Sequence, residues 1–116
     1  MISLAAREPI FLCTTPTDMR KSFCGLSGIV RSQFGREPTD GSWFLFINRK
    51  RDRLKILYWD RDGLALWYKR LERGSFEELP VPEGQAALAI DATQLAMLLG
   101  GVSLQGAKRR KRFAAA

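Results

Sequence analysis

Positive side chains in this sequence are gathered in two short runs instead of being spread along the chain. The chain has 116 residues, a formal net charge of +7 and no histidine. One run contains Arg49, Lys50, Arg51, Arg53 and Lys55; the other contains Lys108, Arg109, Arg110, Lys111 and Arg112. Clustered Lys and Arg are typical of proteins that bind a polyanion, most often nucleic acid. We therefore predict that both runs contact nucleic acid, with a solvated loop and a solvated tail as the alternative.

A second grouping could carry out hydrolysis. Asp60, Asp62 and Glu72, with Lys69 nearby, could hold Mg²⁺ and cleave a phosphodiester bond if their side chains converged. The spacing does not force this convergence, and Asp60–Gly63 has the composition of an ordinary turn. The lack of histidine excludes Ser-His-Asp and Cys-His catalysis, and the chain has no glycine-rich phosphate-binding loop. We expect no catalytic residue, metal site or cofactor, and a metal-dependent nuclease remains an alternative.

Cysteine content and hydropathy indicate the compartment. Cys13 and Cys24 are too few for a disulfide framework, and both stand among apolar residues, so we expect free, buried thiols. The chain has neither a secretory leader nor an apolar run of the roughly 20 residues that cross a bilayer. These features predict a soluble, cytoplasmic protein.

The elements that would position the first cationic run are strands. Three apolar runs, separated by short polar turns, predict an antiparallel meander: Trp43–Asn48, Leu54–Trp59 and Leu64–Lys69. Pro9–Thr14 is a candidate strand before the meander, and Ala87–Ile90 is a candidate short edge strand after it. Gly63 suits a turn position with positive φ.

The register of the last hairpin decides which aromatic side chains share a face. If Trp59 pairs with Leu64, then Lys55, Leu57 and Trp59 lie with Leu64, Leu66 and Tyr68. If Asp60 pairs with Leu64, one face carries Trp59, Trp67, Lys55 and Lys69. That second face would suit base stacking or contact with a protein partner. The sequence leaves both registers open.

Two helices are predicted on either side of the meander. Thr15 as N-cap and Pro16 at the first helical position would begin a long helix that ends at Gly35. Its apolar stripe comprises Met19, Phe23, Leu26, Val30 and Phe34. Asp91 would cap a shorter helix that ends at Gly100-Gly101.

These elements predict one small α+β domain over residues 1–104, followed by a flexible basic tail over residues 105–116. The domain would be an antiparallel sheet in β-α-β-β-β-α order, with the long helix packed on it and the shorter helix at the C-terminal end.

Several stretches resemble a known family. Thr17–Phe23 followed by Gly25-Leu26 is similar to the TDMRK(G/S)F-x-GL signature of the TnpB accessory proteins carried by insertion sequences of the sixty-six group. The resemblance continues through Asn48-Arg49, Asp52–Lys55, Tyr58–Asp60 and Leu66–Gly74. It implies a bacterial mobile-element protein that assists transposition beside a separate transposase.

From the residues and the resemblance together, we predict a non-enzymatic accessory factor that binds nucleic acid, and we expect this to be DNA. The transposase of the same element is the expected protein partner, and a homo-oligomer is compatible with the sequence. The alternative is a module that bridges the transposase through an aromatic sheet face.

Overall fold

The computed structural model describes residues 9–101. In this range the chain forms a five-stranded sheet with a helix on each face, an α+β architecture as predicted. The strands are β1 (Ile10–Cys13), β2 (Trp43–Ile47), β3 (Arg53–Asp60), β4 (Gly63–Arg70) and β5 (Ala87–Ile90). The helices are α1 (Phe23–Phe34) and α2 (Ala92–Gly100), and neither is long and apolar enough to span a membrane.

The sheet is mixed, which corrects the prediction of an antiparallel sheet. Its strand order is β4-β3-β2-β1-β5, and β1 runs parallel to β2 with Ile10 opposite Trp43. Parallel neighbours need a crossover, and α1 supplies it. The candidate edge strand is present as β5, antiparallel to β1, so the element order gains a strand and becomes β-α-β-β-β-β-α. Local patterning located the strands correctly but did not encode their order.

Helix α1 begins at Phe23 with Ser22 as N-cap, so the predicted start at Thr15 and Pro16 is wrong. The preceding residues make other contacts. The Asp18 carboxylate accepts a hydrogen bond from the Arg20 backbone N–H. The Met19 carbonyl accepts a hydrogen bond from Lys55 Nζ, whereas in a longer helix it would accept one from the backbone N–H four residues later. Asp readily forms such local bonds at the expense of helix. The predicted end is confirmed, because Gly35 adopts a left-handed conformation with φ +64°.

The β3–β4 hairpin adopts the first of the two open registers, with Trp59 opposite Leu64 and Asp60 opposite Gly63. The residue with positive φ in its turn is Arg61, at +57°, and not Gly63. A side chain is disfavoured in that conformation, so the turn carries strain that glycine would avoid.

Each face of the sheet has its own core. On one face α1 buries Leu26 and Val30 against Phe44, Phe46 and Leu57. On the other face, α2 and the segment after β4 cover the same sheet, with these buried residues: Ile10, Leu12, Trp43, Leu45, Ile47, Leu54, Ile56, Phe76, Leu79, Ile90, Leu95 and Leu98. Full burial of each such side chain stabilises the fold by about 1.5–3 kcal/mol.

The two thiols are in different environments. Both cysteines are free, and Cys13 is buried as predicted. Cys24 is exposed, because it lies on the α1 face that points away from the sheet, so its predicted burial is wrong.

Candidate nucleic-acid interface

A cleft of about 640 Å³ lies at the end of the sheet where β1 and β2 finish. One wall is the loop between β1 and α1, and the other is the hairpin loop between β2 and β3. Its lining residues are Pro16, Thr17, Asp18, Met19, Arg20, Asn48, Arg49, Lys50, Asp52 and Arg53. Because β1 and β2 are parallel, their C-terminal ends meet at one edge, which brings two stretches about thirty residues apart into one site.

Two sets of hydrogen bonds hold the walls of the cleft together. The Thr17 backbone N–H donates to the Ile47 carbonyl at 2.9 Å. The Lys55 Nζ donates to the carbonyls of Met19 at 2.7 Å and Lys21 at 2.8 Å. The same ammonium lies 4.7 Å from the centre of the Tyr68 ring, a favourable cation–π position.

Lys55 therefore does not fit its predicted role as a phosphate contact. Lys55 is only 6% exposed, and its ammonium group already donates hydrogen bonds to two backbone carbonyls. A buried charge of this kind is stabilised by hydrogen bonds and is not free to pair with a partner in solution. The residue fastens the first wall of the cleft to the sheet.

Asn48 shapes the second wall. Its Oδ1 accepts hydrogen bonds from the backbone N–H groups of Asp52 (3.1 Å) and Arg53 (3.0 Å). Its Nδ2 donates to the Asp52 carboxylate at 2.7 Å. Asn commonly closes turns through such side-chain bonds to nearby backbone groups. Two backbone hydrogen bonds close the same loop: the Asn48 N–H donates to the Arg53 carbonyl at 3.2 Å, and the Arg51 N–H donates to the Asn48 carbonyl at 3.0 Å. Together with the Asn48 side chain they hold the loop and its exposed tip at Arg49 and Lys50.

Arg51 is directed away from the cleft. Its Nε donates to the Phe76 carbonyl at 3.0 Å and its Nη2 donates to the Glu77 carbonyl, while the Phe76 N–H donates to the Arg51 carbonyl at 2.7 Å. Burial lowers the pKa of this guanidinium, and the nearby Glu78 and Glu77 act in the opposite direction. Arg51 binds the segment after β4 to the hairpin, so it too is placed as a structural residue.

The remaining cations of the first predicted run do face the cleft. Arg49 and Lys50 are exposed, and within residues 9–101 neither side chain has a hydrogen bond or an ion pair. Arg53 is half-buried, and its Nη1 donates to the Tyr68 hydroxyl at 3.2 Å. Of the five predicted residues, three therefore line the cleft, Lys55 ties one of its walls to the sheet, and Arg51 binds the segment after β4.

The opposite wall adds an ion pair between Arg20 and Asp18, whereas the sequence predicts Arg20 only as a weak additional contact to nucleic acid. The Arg20 guanidinium donates hydrogen bonds to both carboxylate oxygens of Asp18, from Nη2 to Oδ2 at 2.7 Å and from Nε to Oδ1 at 3.1 Å. Hydrogen bonds from Arg20 lower the pKa of the Asp18 carboxyl from 3.8 to about 2. Both residues belong to the stretch that resembles the family signature, and that resemblance was the available signal.

The alternative sites are not assembled in this register. Trp59 and Trp67 lie on opposite faces of the sheet, because Trp59 pairs with Leu64 and Trp67 pairs with Ile56. Trp67 packs against the core on the α2 side. The predicted face that combines Trp59, Trp67, Lys55 and Lys69 is therefore absent. In the observed register Trp59 instead shares a face with Tyr68, and both side chains are exposed.

The acidic grouping is separated as well. Asp60 and Asp62 lie at the turn between β3 and β4, whereas Lys69 and Glu72 lie near the far end of β4. Eight residues of strand span about 25 Å, far beyond the reach of a shared ion. Within the described range, no three carboxylate or thiol side chains are placed together to hold a metal. The second cationic run, Lys108–Arg112, lies outside the described residues, as does the predicted tail.

Comparisons with known proteins agree with the resemblance seen in the sequence. The profile of the family described as IS66 Orf2 like protein matches residues 8–109. Two proteins of Sinorhizobium fredii are similar to the chain. Uncharacterized protein y4jC is 35% identical over 87% of this chain and 85% of its own length. Uncharacterized protein y4hO is 39% identical over 80% and 79%. No solved structure gives a significant match.

Proposed function

Because this chain belongs to the IS66 Orf2-like family and is thus an accessory protein associated with transposition, we propose that it binds DNA through the cleft beside Arg49 and Lys50. The observation that carries the proposal is the exposure of these two cations, free of partners among the described residues, at the tip of a hairpin that Asn48 holds in shape. A preformed loop loses little conformational freedom when it binds.

The residues of the cleft have separate roles in this proposal. Arg49 and Lys50 contact successive backbone phosphates, and Arg53 adds a third contact deeper in the cleft. Contacts of this type set position and affinity without reading the base sequence. Asp18 and Asp52 each already accept hydrogen bonds inside the protein, so their charge is partly satisfied before a phosphate approaches. The basic run Lys108–Arg112 is proposed as a second contact on its sequence alone.

The proposed role is non-enzymatic, with the transposase of the same element as the protein partner. DNA held by backbone contacts could be presented to an enzyme without any reaction in this chain. The wide separation of Asp60 and Asp62 from Glu72 supports this view over a nuclease. A plasmid-nicking assay with Mg²⁺ and Mn²⁺ tests it, because cleavage that Asp60→Asn abolishes would identify a nuclease.

Salt-dependent binding to a labelled duplex tests the DNA interface. For the Arg49→Gln/Lys50→Gln protein, we expect weaker binding and a salt slope reduced by about 1.8, since each lost phosphate contact removes about 0.9. Arg61→Gln is the control for a lost positive charge outside the cleft: it removes one exposed cation at the other end of the sheet and should leave the slope unchanged, whereas Arg49→Gln alone should lower it by about 0.9. Equal slopes in the double variant and the wild type, or wild-type binding that is indifferent to salt, would refute the proposal.

A further inference from the structure

The outer edge of β4 is open in the described part of the chain. β4 ends the strand order and pairs only with β3. The Leu71 N–H donates to the Asp52 carbonyl, and this bond shows which residues of β4 direct their backbone groups towards β3. Alternate residues of β4 direct their backbone groups outward, and these are Leu64, Leu66, Tyr68 and Arg70. No backbone group in residues 9–101 pairs with them.

This edge carries only one of the usual devices against pairing. Edge strands in soluble proteins are commonly shortened, interrupted by proline or a bulge, or given charged side chains, especially Lys, and β4 has such charges only at its C-terminal end, at Lys69 and Arg70. β4 has eight residues without proline, and all of them pair with β3 in one unbroken register. An apolar strip beside the edge is incompletely covered: Tyr68 is 46% exposed and Trp59 is 37% exposed, and Leu64 and Leu66 are half-buried. The edge is thus able to accept another strand.

Charge is distributed unevenly along this edge. Asp60 and Asp62, with Arg61 between them, lie at the turn where β4 begins, whereas Lys69 and Arg70 lie where it ends. Arg70 also forms an exposed ion pair with Glu72 at 3.4 Å. A strand that pairs antiparallel with β4 therefore meets complementary charge at both ends if it, too, is acidic at its start and basic at its end. A second copy of β4 satisfies that condition.

We propose that β4 pairs antiparallel with β4 of a second copy, around a twofold axis at Leu66. In that register Leu64 lies opposite the partner's Tyr68, and Asp62 lies opposite the partner's Arg70. An axis at Trp67 also keeps each side chain on its own face, but it places Leu64 opposite the partner's Arg70 and Asp62 opposite the partner's Glu72. Opposite charges across strands stabilise pairing and like charges oppose it, so the register centred on Leu66 is favoured over the one centred on Trp67.

The resulting sheet is continuous through both copies, and the exposed apolar strips meet at the axis. Because the paired strands are antiparallel, the two cationic clefts lie at opposite ends of the joined sheet. The pairing rests on the β4 edge alone and does not depend on DNA binding.

Charge reversal at the ends of β4 tests the proposal. Asp62→Arg and Arg70→Asp each convert both complementary contacts of the symmetric dimer into like-charge contacts, and both side chains are exposed. In sedimentation at low salt we expect a wild-type dimer and at least about tenfold weaker self-association for each variant. An equimolar mixture of the two should form a heterodimer of near wild-type affinity, because both contacts are then complementary again.

Arg49→Asp is the matched control, since it changes the net charge as Arg70→Asp does but lies away from the β4 edge. It should retain the dimer while losing DNA affinity, which separates failure of this inference from failure of the proposed function. Circular dichroism confirms that each variant is folded. The inference is overturned if the wild type stays monomeric at millimolar concentration, even if it then binds an extended peptide of another protein. It is also overturned if mixing fails to restore association.

Discussion

Replacing the buried Lys55 tests how the cleft is assembled. Lys55→Met keeps most of the side-chain volume and removes the ammonium that holds Met19 and Lys21. Hydrogen bonds from a charged donor contribute about 1.5–3 kcal/mol each to stability. When the loop relaxes in the variant, the freed carbonyls can bond to water, and this reduces the loss. We expect the free energy of unfolding to fall by about 3 kcal/mol. For a domain of this size the thermal midpoint should drop by about 10 °C.

Urea denaturation measures the loss, and amide hydrogen exchange locates it. Exchange should accelerate in the loop between β1 and α1 well before the strands are affected, because Lys55 is the main tie between that loop and β3. Duplex affinity should fall as well, although Lys55 itself touches no phosphate in our proposal.

Lys69→Met on the adjacent strand is the matched control, since the Lys69 side chain forms no hydrogen bond or ion pair within residues 9–101. It should change the free energy of unfolding by less than about 0.5 kcal/mol. Equal stability of the two variants would refute the reasoning. A more stable Lys55→Met protein would show that desolvation of the ammonium outweighs its hydrogen bonds.

Three further changes have defined outcomes. Arg20→Gln should raise the pKa of Asp18 from about 2 towards 3.8, as followed by carboxyl NMR. Because the folded pKa is depressed, the Asp18–Arg20 pair stabilises the wild type above about pH 4, and this contribution disappears as the pH falls through 2. Arg61→Gly should raise the free energy of unfolding by up to about 1 kcal/mol by removing left-handed strain, whereas Arg61→Ala should not. Arg51→Met should lower the free energy of unfolding by about 1–3 kcal/mol and expose the segment after β4 to proteolysis, since two carbonyls lose their donor; unchanged cleavage would argue against that role.

Features that depend on neighbours in the chain were predictable. Helix α2 begins where Asp91 accepts a hydrogen bond from the Gln94 N–H, and the Gln94 side chain accepts one from the Asp91 N–H. Gly35 ends α1 for an equally local reason, because it adopts positive φ without a steric cost. The family resemblance is also a property of the sequence, and the matching profile confirms it.

Features that depend on distant partners were not predictable. The start of α1 and the parallel pairing of β1 with β2 depend on contacts between distant segments. The same holds for the cations: Arg49 and Lys55 look alike in the sequence, yet one is exposed and the other is buried. The order of residues in the sequence determined that the positive charge of this protein is concentrated in short runs. Only the tertiary structure decided which of these charges remain free to contact a partner. The carbonyls that accept hydrogen bonds from Lys55 and Arg51 belong to segments more than twenty residues away in the chain.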